Sequence, residues 1–190
     1  MVELGIPRLV LASASPRRTE LLSVAGFPHR VAVSHVAELR QPGESPVAYV
    51  RRLAAEKARA VSADPDEVVL GADTTVVVDG EVLEKPSDLP DAARMLGLLS
   101  GRSHEVVTGI CLRRGHMEVV DSETTNVFFQ SISRSDIEYY IRSGEPLDKA
   151  GAYGIQGLAS KFIHRIEGCY FNVVGLPVSL VWRRLREFEP

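Results

Sequence analysis

Cysteine is nearly absent from this sequence, which limits the kinds of site and the compartment that the chain can have. The two cysteines, Cys111 and Cys169, both stand in apolar, strand-like surroundings. Neither has the CxxC or Cys/His spacing of a zinc site. The two could pair, but the pattern favours two buried free thiols in a reducing cytosol.

Long apolar runs and basic tracts are missing as well. No apolar run approaches the length of a membrane span, and Leu9–Leu11, before Ala12-Ser13-Ala14, is too short for a signal peptide. With 22 basic and 25 acidic residues the formal net charge is −3, and the arginine pairs are scattered along the chain. These features exclude a general nucleic-acid binder and predict a cytoplasmic protein without a membrane partner.

The residues that are present are typical of a globular α/β chain. A length of 190 residues, of which 45% are hydrophobic and 25% charged, fits one large domain or two closely packed lobes. Strand-like and helix-like segments alternate, and turn signals at Asp79-Gly80 and at 114–116 predict antiparallel strand pairs. We therefore expect an α/β fold with a mixed, partly antiparallel central sheet flanked by helices, formed by residues 1–190 as a single domain.

The stretch Glu67–Gly80 contains the most informative carboxylate. Val68–Leu70 and Val76–Val78 are short apolar runs typical of strands buried on both faces. Between them, Gly71–Thr75 forms a break that contains Asp73. The simple interpretation is that Asp73 hydrogen-bonds a turn or caps a chain end. The functional interpretation is a metal ligand or general base at a strand end.

The N-terminal segment predicts a strand, a turn and a helix. The strand is expected at Arg8–Ala12, followed by the hydroxyl groups of Ser13 and Ser15 and then by the helix. Arg17 and Arg18 stand in the first turn of this helix, where positive charge opposes the helix dipole. One interpretation is an ordinary capped helix with surface arginines. The other is a phosphate site, because an anion at the free N–H groups would relieve this conflict.

Two lysines and one glutamine are further candidates for contact with a ligand. Lys57 falls within the apolar stripe of a helix expected from Ser45 to about Ser62, so its ammonium either snorkels outward or enters a cleft beside a carboxylate or phosphate. Lys85 precedes a proline, which forces an extended backbone and a rigid placement. Gln156 lies in the segment 144–157, whose glycines and lack of periodicity are typical of a functional loop.

Six ordered motifs resemble those of the Maf family, and together they cover nearly the whole chain. The motifs are LASASPRRTELL (11–22), GESPVAYVRRLAAEKA (43–58), GADTTVVVDG (71–80), LSGRSHEVVTG (99–109), DKAGAYGIQG (148–157) and IEGCYFNVVGLP (166–177). The resemblance implies a cytoplasmic nucleoside triphosphate pyrophosphatase that depends on a divalent metal and often forms dimers. It also implies a Maf/ITPase-like α/β fold with two lobes around a central cleft.

The same resemblance implies a set of site residues. Those implied to bind substrate are Ser13, Arg17, Arg18, Thr74 and Gln156; those implied in catalysis are Asp73, as proton acceptor, Lys57 and Lys85. A divalent cation, Mg²⁺ or Mn²⁺, would be held by Glu38 and Asp73, because hard cations prefer oxygen ligands. The family usually has Asp-Glu where this chain has Ala37-Glu38, so one carboxylate of the usual metal shell is missing.

Three positions indicate the substrate. A subfamily that acts on dTTP and UTP is marked by the residues that match Arg17, Thr74 and Gln156 here. We therefore expect hydrolysis of dTTP and UTP, or of modified pyrimidine nucleotides, to the monophosphate and pyrophosphate. The alternatives are the same reaction on 7-methyl-GTP, and a non-catalytic nucleotide sensor that regulates cell division through a partner. A homodimer is the expected assembly.

Overall fold

The computed structural model describes residues 7–188, which form seven strands, six α-helices and several short 3-10 turns. The strands are β1 (Leu9–Leu11), β2 (His29–Val31), β3 (Val68–Val78), β4 (Glu81–Leu83), β5 (Ser103–Arg114), β6 (Met117–Phe129) and β7 (Ile163–Glu167). The α-helices are α1 (Pro16–Val24), α2 (Pro46–Arg59), α3 (Leu89–Leu99), α4 (Arg134–Arg142), α5 (Tyr170–Val174) and α6 (Val178–Leu185).

The strands form one mixed sheet. They pair in the order β2-β1-β3-β5-β6-β7, and β4 pairs with β3 outside this path. β1 is parallel to β2 and β3, whereas β4 is antiparallel to β3 and β7 is antiparallel to β6. The predicted mixed sheet is therefore confirmed. So is the hairpin turn, because Asp79 and Gly80 have φ of 49° and 81°, the positive values that a type I′ turn requires.

The predicted break between the two apolar runs is wrong. Val68–Val78 is a single strand of 11 residues, and Asp73 lies in its middle rather than at a strand end. Gly71 is not a turn residue but a point of close approach. A Cβ at this position would lie 2.0 Å from the backbone oxygen of Ala54 in α2. Glycine inside a strand often marks such an approach of another backbone, and this strand is an instance.

The described residues divide into two compact units, and the division falls within β3, β5 and β6. The first unit contains the residues up to Asp73, Thr108–Glu123 and the residues from Gly175 onward. Its core joins α2 to β1, β3 and β5 through small and branched side chains: Val10, Ala12, Ala54, Ala55, Ala58, Val61, Val69 and Cys111. Small residues on α2 let this helix lie close to the strands.

The second unit contains Thr74–Val107 and Thr124–Val174. Its core is larger and more aromatic, and it packs α3 and α4 against the strand residues of this unit. Tyr153 lies edge-on to His104 and Phe129, with ring centroids 5.3 Å and 4.9 Å away. The segment 144–157 thus has a buried aromatic anchor although it lacks a regular helix or strand.

The two cysteines are free thiols, as predicted, but their surroundings differ. Cys111 is buried in β5, which agrees with the strand-like pattern around it. Cys169 is half-buried and precedes α5, so the strand prediction is wrong there. Gly168, with φ of 125°, turns the chain out of β7 just before it. None of the helices in residues 7–188 combines the length and the apolar character that a membrane span needs.

Candidate active site

The ammonium group of Lys57 lies between two carboxylates in the first unit. Its Nζ is 2.6 Å from Oδ1 of Asp73 and 2.5 Å from Oε1 of Glu38. The side chains of Lys57 and Asp73 are 8% and 9% exposed, whereas that of Glu38 is 46% exposed. Of the two interpretations of Lys57, the snorkelling one is therefore wrong, and the lysine points inward beside a carboxylate.

Local structure explains why these two residues meet. Lys57 shares a face of α2 with the buried residues Leu53 and Ala54, at helical spacing. Asp73 shares a face of β3 with Gly71, because side chains alternate along a strand. α2 packs directly against Gly71. Lys57, which lies one helical turn beyond Ala54, is therefore next to Asp73.

The buried carboxylate has a perturbed acidity. Burial raises the pKa of Asp73 above its ordinary value, and the charge of Glu38 raises it further. The positive charges of Lys57 and Arg18 act in the opposite direction on this pKa but do not cancel the effect of burial. A carboxylate with a raised pKa is a stronger proton acceptor than a solvated one, which suits a general base.

Arg18 is buried and holds three segments of the first unit together. Its Nε donates to the carbonyl of Gly175 at 2.9 Å, and its Nη1 donates to Oγ of Ser13 at 3.0 Å and to the carbonyl of Ala72 at 2.9 Å. On β3, the carbonyl of Leu70 accepts a backbone hydrogen bond from the N–H of Ala12, just after β1. The carbonyl of Ala72, two residues further along β3, points to the same edge of the strand. There Arg18, and not another strand, is the donor. The surface-arginine interpretation is wrong for this residue.

The start of α1 retains the features of an anion site. The first turn contains no acidic residue, and Ser15 at the N-cap makes no capping bond with its side chain. Instead, its N–H donates to Oγ of Ser13 at 3.2 Å. Arg17 is half-exposed beside these groups in the chain. The helix start, Ser13 and Arg17 thus form a candidate phosphate site in the first unit.

The remaining predicted residues belong to the second unit. Thr74 is half-buried in β3, and Lys85 is exposed before the buried Pro86. Gln156 is exposed in a turn closed by a hydrogen bond from the N–H of Gly157 to the carbonyl of Gly154, at 3.1 Å. The structure thus brings together Ser13 with Arg18, and Lys57 with Glu38 and Asp73.

Sequence reasoning missed two residues that hold this turn. Tyr140 lies on α4, and its hydroxyl donates to Oε1 of Glu145 at 2.8 Å. Glu145 also accepts the N–H of Leu158 at 3.0 Å. The carboxylate directly after Gly144 in a glycine-rich segment was a signal for Glu145. No local pattern reveals that Tyr140 reaches it.

Donors for a metal ion are few. Within residues 7–188, no group of three or more His, Cys, Asp and Glu side chains is arranged to hold one. Glu38 and Asp73 nevertheless converge on one cationic group, the Lys57 ammonium. Two carboxylates fit Mg²⁺, which commonly takes its other oxygens from water and from substrate phosphates.

Comparison with known proteins adds to this geometry. A family model described as Maf-like protein matches residues 8–188. The chain belongs to the Maf family. A Maf-family resemblance inferred from six motifs is thereby confirmed over nearly the full length of the chain.

Two curated relatives illustrate how close the match is. A dTTP/UTP pyrophosphatase of Koribacter versatilis (strain Ellin345) is 56% identical over 179 residues, or 94% of this chain and 93% of that protein. A dTTP/UTP pyrophosphatase of Vibrio cholerae serotype O1 is 50% identical over 188 residues, or 96% of this chain and 99% of that protein.

Among solved structures, the Ham1 protein of Staphylococcus aureus aligns with a TM-score of 0.53 and 16% identity, over 95% of this chain and 98% of that one. At this identity the likeness concerns the fold alone.

Proposed function

We propose that this Maf-family chain is a nucleoside triphosphate pyrophosphatase that hydrolyses dTTP and UTP to the monophosphate and pyrophosphate. The observation that carries the proposal is the buried Asp73 carboxylate paired with Lys57, in a chain whose relatives are named dTTP/UTP pyrophosphatase. A buried base can accept a proton from the attacking water, and a cation beside it can offset the charge that develops on the phosphates.

In the proposed reaction, Asp73 accepts a proton from water as the water oxygen bonds to the α-phosphorus. The bond from that phosphorus to the oxygen shared with the β-phosphate breaks, and pyrophosphate leaves with the electron pair. Lys57 and Lys85 offset the negative charge that develops on the phosphates. Arg17, Arg18, Ser13 and the start of α1 bind phosphate oxygens, and Arg18 also holds Ser13 in place.

We propose Mg²⁺ or Mn²⁺ as the cofactor, with Glu38 and Asp73 as its protein ligands. When bound, such an ion neutralises phosphate charge and orients the substrate. Lys57 contacts the same two carboxylates, so the lysine and the ion share them. Because Ala37 provides no further carboxylate, the ion would take its other oxygen ligands from water and from the substrate phosphates.

Base selection is assigned to Thr74 and Gln156, together with Arg17, on the motif matches. The amide of Gln156 can pair both a carbonyl and an N–H, as the O4/N3 edge of thymine or uracil presents them. Cytosine has an amino group in place of that carbonyl. An amide held in the orientation that pairs thymine or uracil leaves a polar group unpaired against cytosine, at a cost of about 1–3 kcal/mol, so discrimination of roughly 5–150-fold against CTP is expected.

Three further statements belong to the proposal. Residues 1–190 act as a single functional domain, since one family match spans 8–188. The protein works in the cytoplasm on free nucleotides, and its charge of −3 favours no nucleic-acid partner. It forms a homodimer, which light scattering of the purified protein tests directly.

Pyrophosphate release from a panel of dTTP, UTP, CTP, GTP and 7-methyl-GTP tests the main proposal. We expect the wild-type protein to release pyrophosphate from dTTP and UTP. In Gln156→Glu, the rates with these two substrates should exceed the rate with CTP by a smaller factor. A preference for 7-methyl-GTP would reject the pyrimidine assignment while keeping the chemistry. Nucleotide binding without release, with Mg²⁺ or Mn²⁺ present, would instead support the sensor.

A further inference from the structure

The turn that contains Gln156 is attached at both ends to one pair of side chains. Just inside its start, the N–H of Gly154 donates to the hydroxyl of Tyr140 at 3.3 Å. Just after its end, the N–H of Leu158 donates to Oε2 of Glu145 at 3.0 Å. The Tyr140 hydroxyl donates to the other oxygen of Glu145 at 2.8 Å, so one chain of hydrogen bonds spans the turn.

The backbone also fits closely against this pair. A Cβ at Gly157 would lie 2.2 Å from Oε1 of Glu145, so the carboxylate fills the space that any side chain there would need. Tyr140 is fully buried on α4, and its ring lies edge-on to Phe162 with centroids 5.8 Å apart. The anchor of the turn is therefore a rigid part of the core of the second unit.

Gln156 itself has no comparable support. Its side chain is exposed and makes no hydrogen bond to any residue in the described part of the chain. It occupies a central position of the 154–157 turn. The point from which its side chain extends, and so the region that its amide can reach, therefore depends on the backbone of the turn, and that backbone depends on Tyr140 and Glu145.

We propose that Tyr140 and Glu145 are positioning residues for base selection, which fix the backbone of the 154–157 turn and with it the point from which the Gln156 side chain extends. This inference rests on the proposed role of Gln156 in binding the pyrimidine. An amide whose backbone attachment moves pairs a base edge less often. Loosening the turn should therefore reduce the preference for dTTP over CTP rather than the rate of bond cleavage as such.

The test compares Tyr140→Phe with Tyr139→Phe, a matched control on the neighbouring tyrosine, which is 57% exposed. The ratio of kcat/KM for dTTP to that for CTP is measured for each, in the wild-type and in the Gln156→Ala background. We expect Tyr140→Phe to lower the ratio about 5-fold or more, and Tyr139→Phe to leave it unchanged. In the Gln156→Ala background, Tyr140→Phe should have no further effect on the ratio, because the two residues act as one unit.

An equal loss on both substrates, or an equal fall of the ratio in both backgrounds, would show a merely structural role for Tyr140 and overturn the inference. If Gln156→Ala alone leaves the ratio unchanged, the proposed base contact of Gln156 fails, and the inference fails with it. If Gln156→Ala lowers the ratio but Tyr140→Phe does not, only the inference fails. The two failures are therefore distinguishable.

Amide hydrogen exchange gives a readout that needs no substrate. Tyr140→Phe should speed exchange in peptides that cover 150–158 and leave β5 peptides protected. Unchanged exchange at 150–158 would overturn the inference whatever the kinetics show. Should Tyr140→Phe fail to fold, Glu145→Ala replaces it, because a methyl side chain accepts from neither Tyr140 nor Leu158. Its control is Glu138→Ala, at a half-exposed glutamate on α4.

Discussion

Lys57 and Asp73 are 16 residues apart in the chain, and their side chains meet at 2.6 Å because Gly71 lets α2 pack directly against β3. The absence of one side chain thus decides where a cation and a carboxylate meet. A lysine on an inward helix face would otherwise have to extend toward solvent. This packing contact is the structural basis of the proposed active site.

The first prediction concerns this contact. Gly71→Ala would place a methyl group 2.0 Å from the Ala54 backbone oxygen, so α2 must move. We expect the free energy of unfolding to fall by about 3 kcal/mol or more, at the upper end of overpacking effects. Gly97→Ala is the control, because a Cβ there meets nothing within 4 Å and should stabilise α3 by about 0.5–1 kcal/mol. Urea denaturation of both variants checks this, and equal effects would contradict it.

Asp73→Asn should abolish turnover while the fold remains intact. The substitution is nearly isosteric but removes the charge needed to accept a proton or to hold a metal. Loss of a general base typically costs about 10²–10⁴-fold in rate. Pyrophosphate release from dTTP with Mg²⁺ or Mn²⁺ present measures this, and circular dichroism checks the fold. A rate near that of the wild type would reject the assignment of Asp73.

Replacing Lys57 should change the pH dependence as well as the rate. Lys57 favours the charged form of Asp73, so Lys57→Met should raise the pKa of that carboxyl further. Because a base acts only when deprotonated, the acidic limb of the kcat/KM profile should move to higher pH. Lys161→Met, on an exposed lysine, should leave the limb in place. A limb that does not move in Lys57→Met would argue against Asp73 as the group that titrates.

The metal assignment predicts a distinct effect of Glu38. Glu38→Gln removes one of two carboxylates, and half-saturation by Mg²⁺ should then need a concentration roughly 10–100-fold higher, as for loss of other important metal-site groups. Activity should recover in part at high Mg²⁺. Glu44→Gln is a control from the same loop, because Glu44 pairs with Arg52 instead. An unchanged Mg²⁺ requirement in Glu38→Gln would show that Glu38 does not hold the ion.

His104 should make the second unit sensitive to acid. Burial lowers the pKa of His104 from 6.5 to about 4, so below pH 6.5 the unfolded chain binds a proton that the folded chain does not. Stability should therefore fall as the pH drops from about 6.5 to 4, by at most roughly 1.4 kcal/mol per pH unit from this group.

The comparison that isolates this effect is between His104→Gln and His164→Gln. Glutamine at 104 has no proton to gain, so the difference in unfolding free energy between wild type and His104→Gln should shrink from pH 7 to pH 4.5. His164 is exposed on β7, and its replacement should leave the pH dependence of the unfolding free energy as it is in the wild type. If the unfolding free energies of all three proteins fall in parallel with pH, the prediction is refuted.

The kind of most elements, and the family, follow from the sequence alone. Ser15 and Ser45 marked the starts of α1 and α2, and Asp79-Gly80 marked the hairpin. These signals work because caps and tight turns depend on a few neighbouring residues. Six motifs in order identified the family because they are long and cover nearly the whole chain. Most of the candidate residues came from this match.

The arrangement of those residues is visible only in the tertiary structure. It showed β3 to be continuous through Asp73, Lys57 to lie between Glu38 and Asp73, and Arg18 to be buried against backbone carbonyls. It also joined Tyr140 to Glu145 across the turn of Gln156. Each of these features depends on packing between segments that are distant in the chain, or on a glycine that lets a strand continue close to another backbone. Periodicity describes which face of an element is buried, but not what that face will meet.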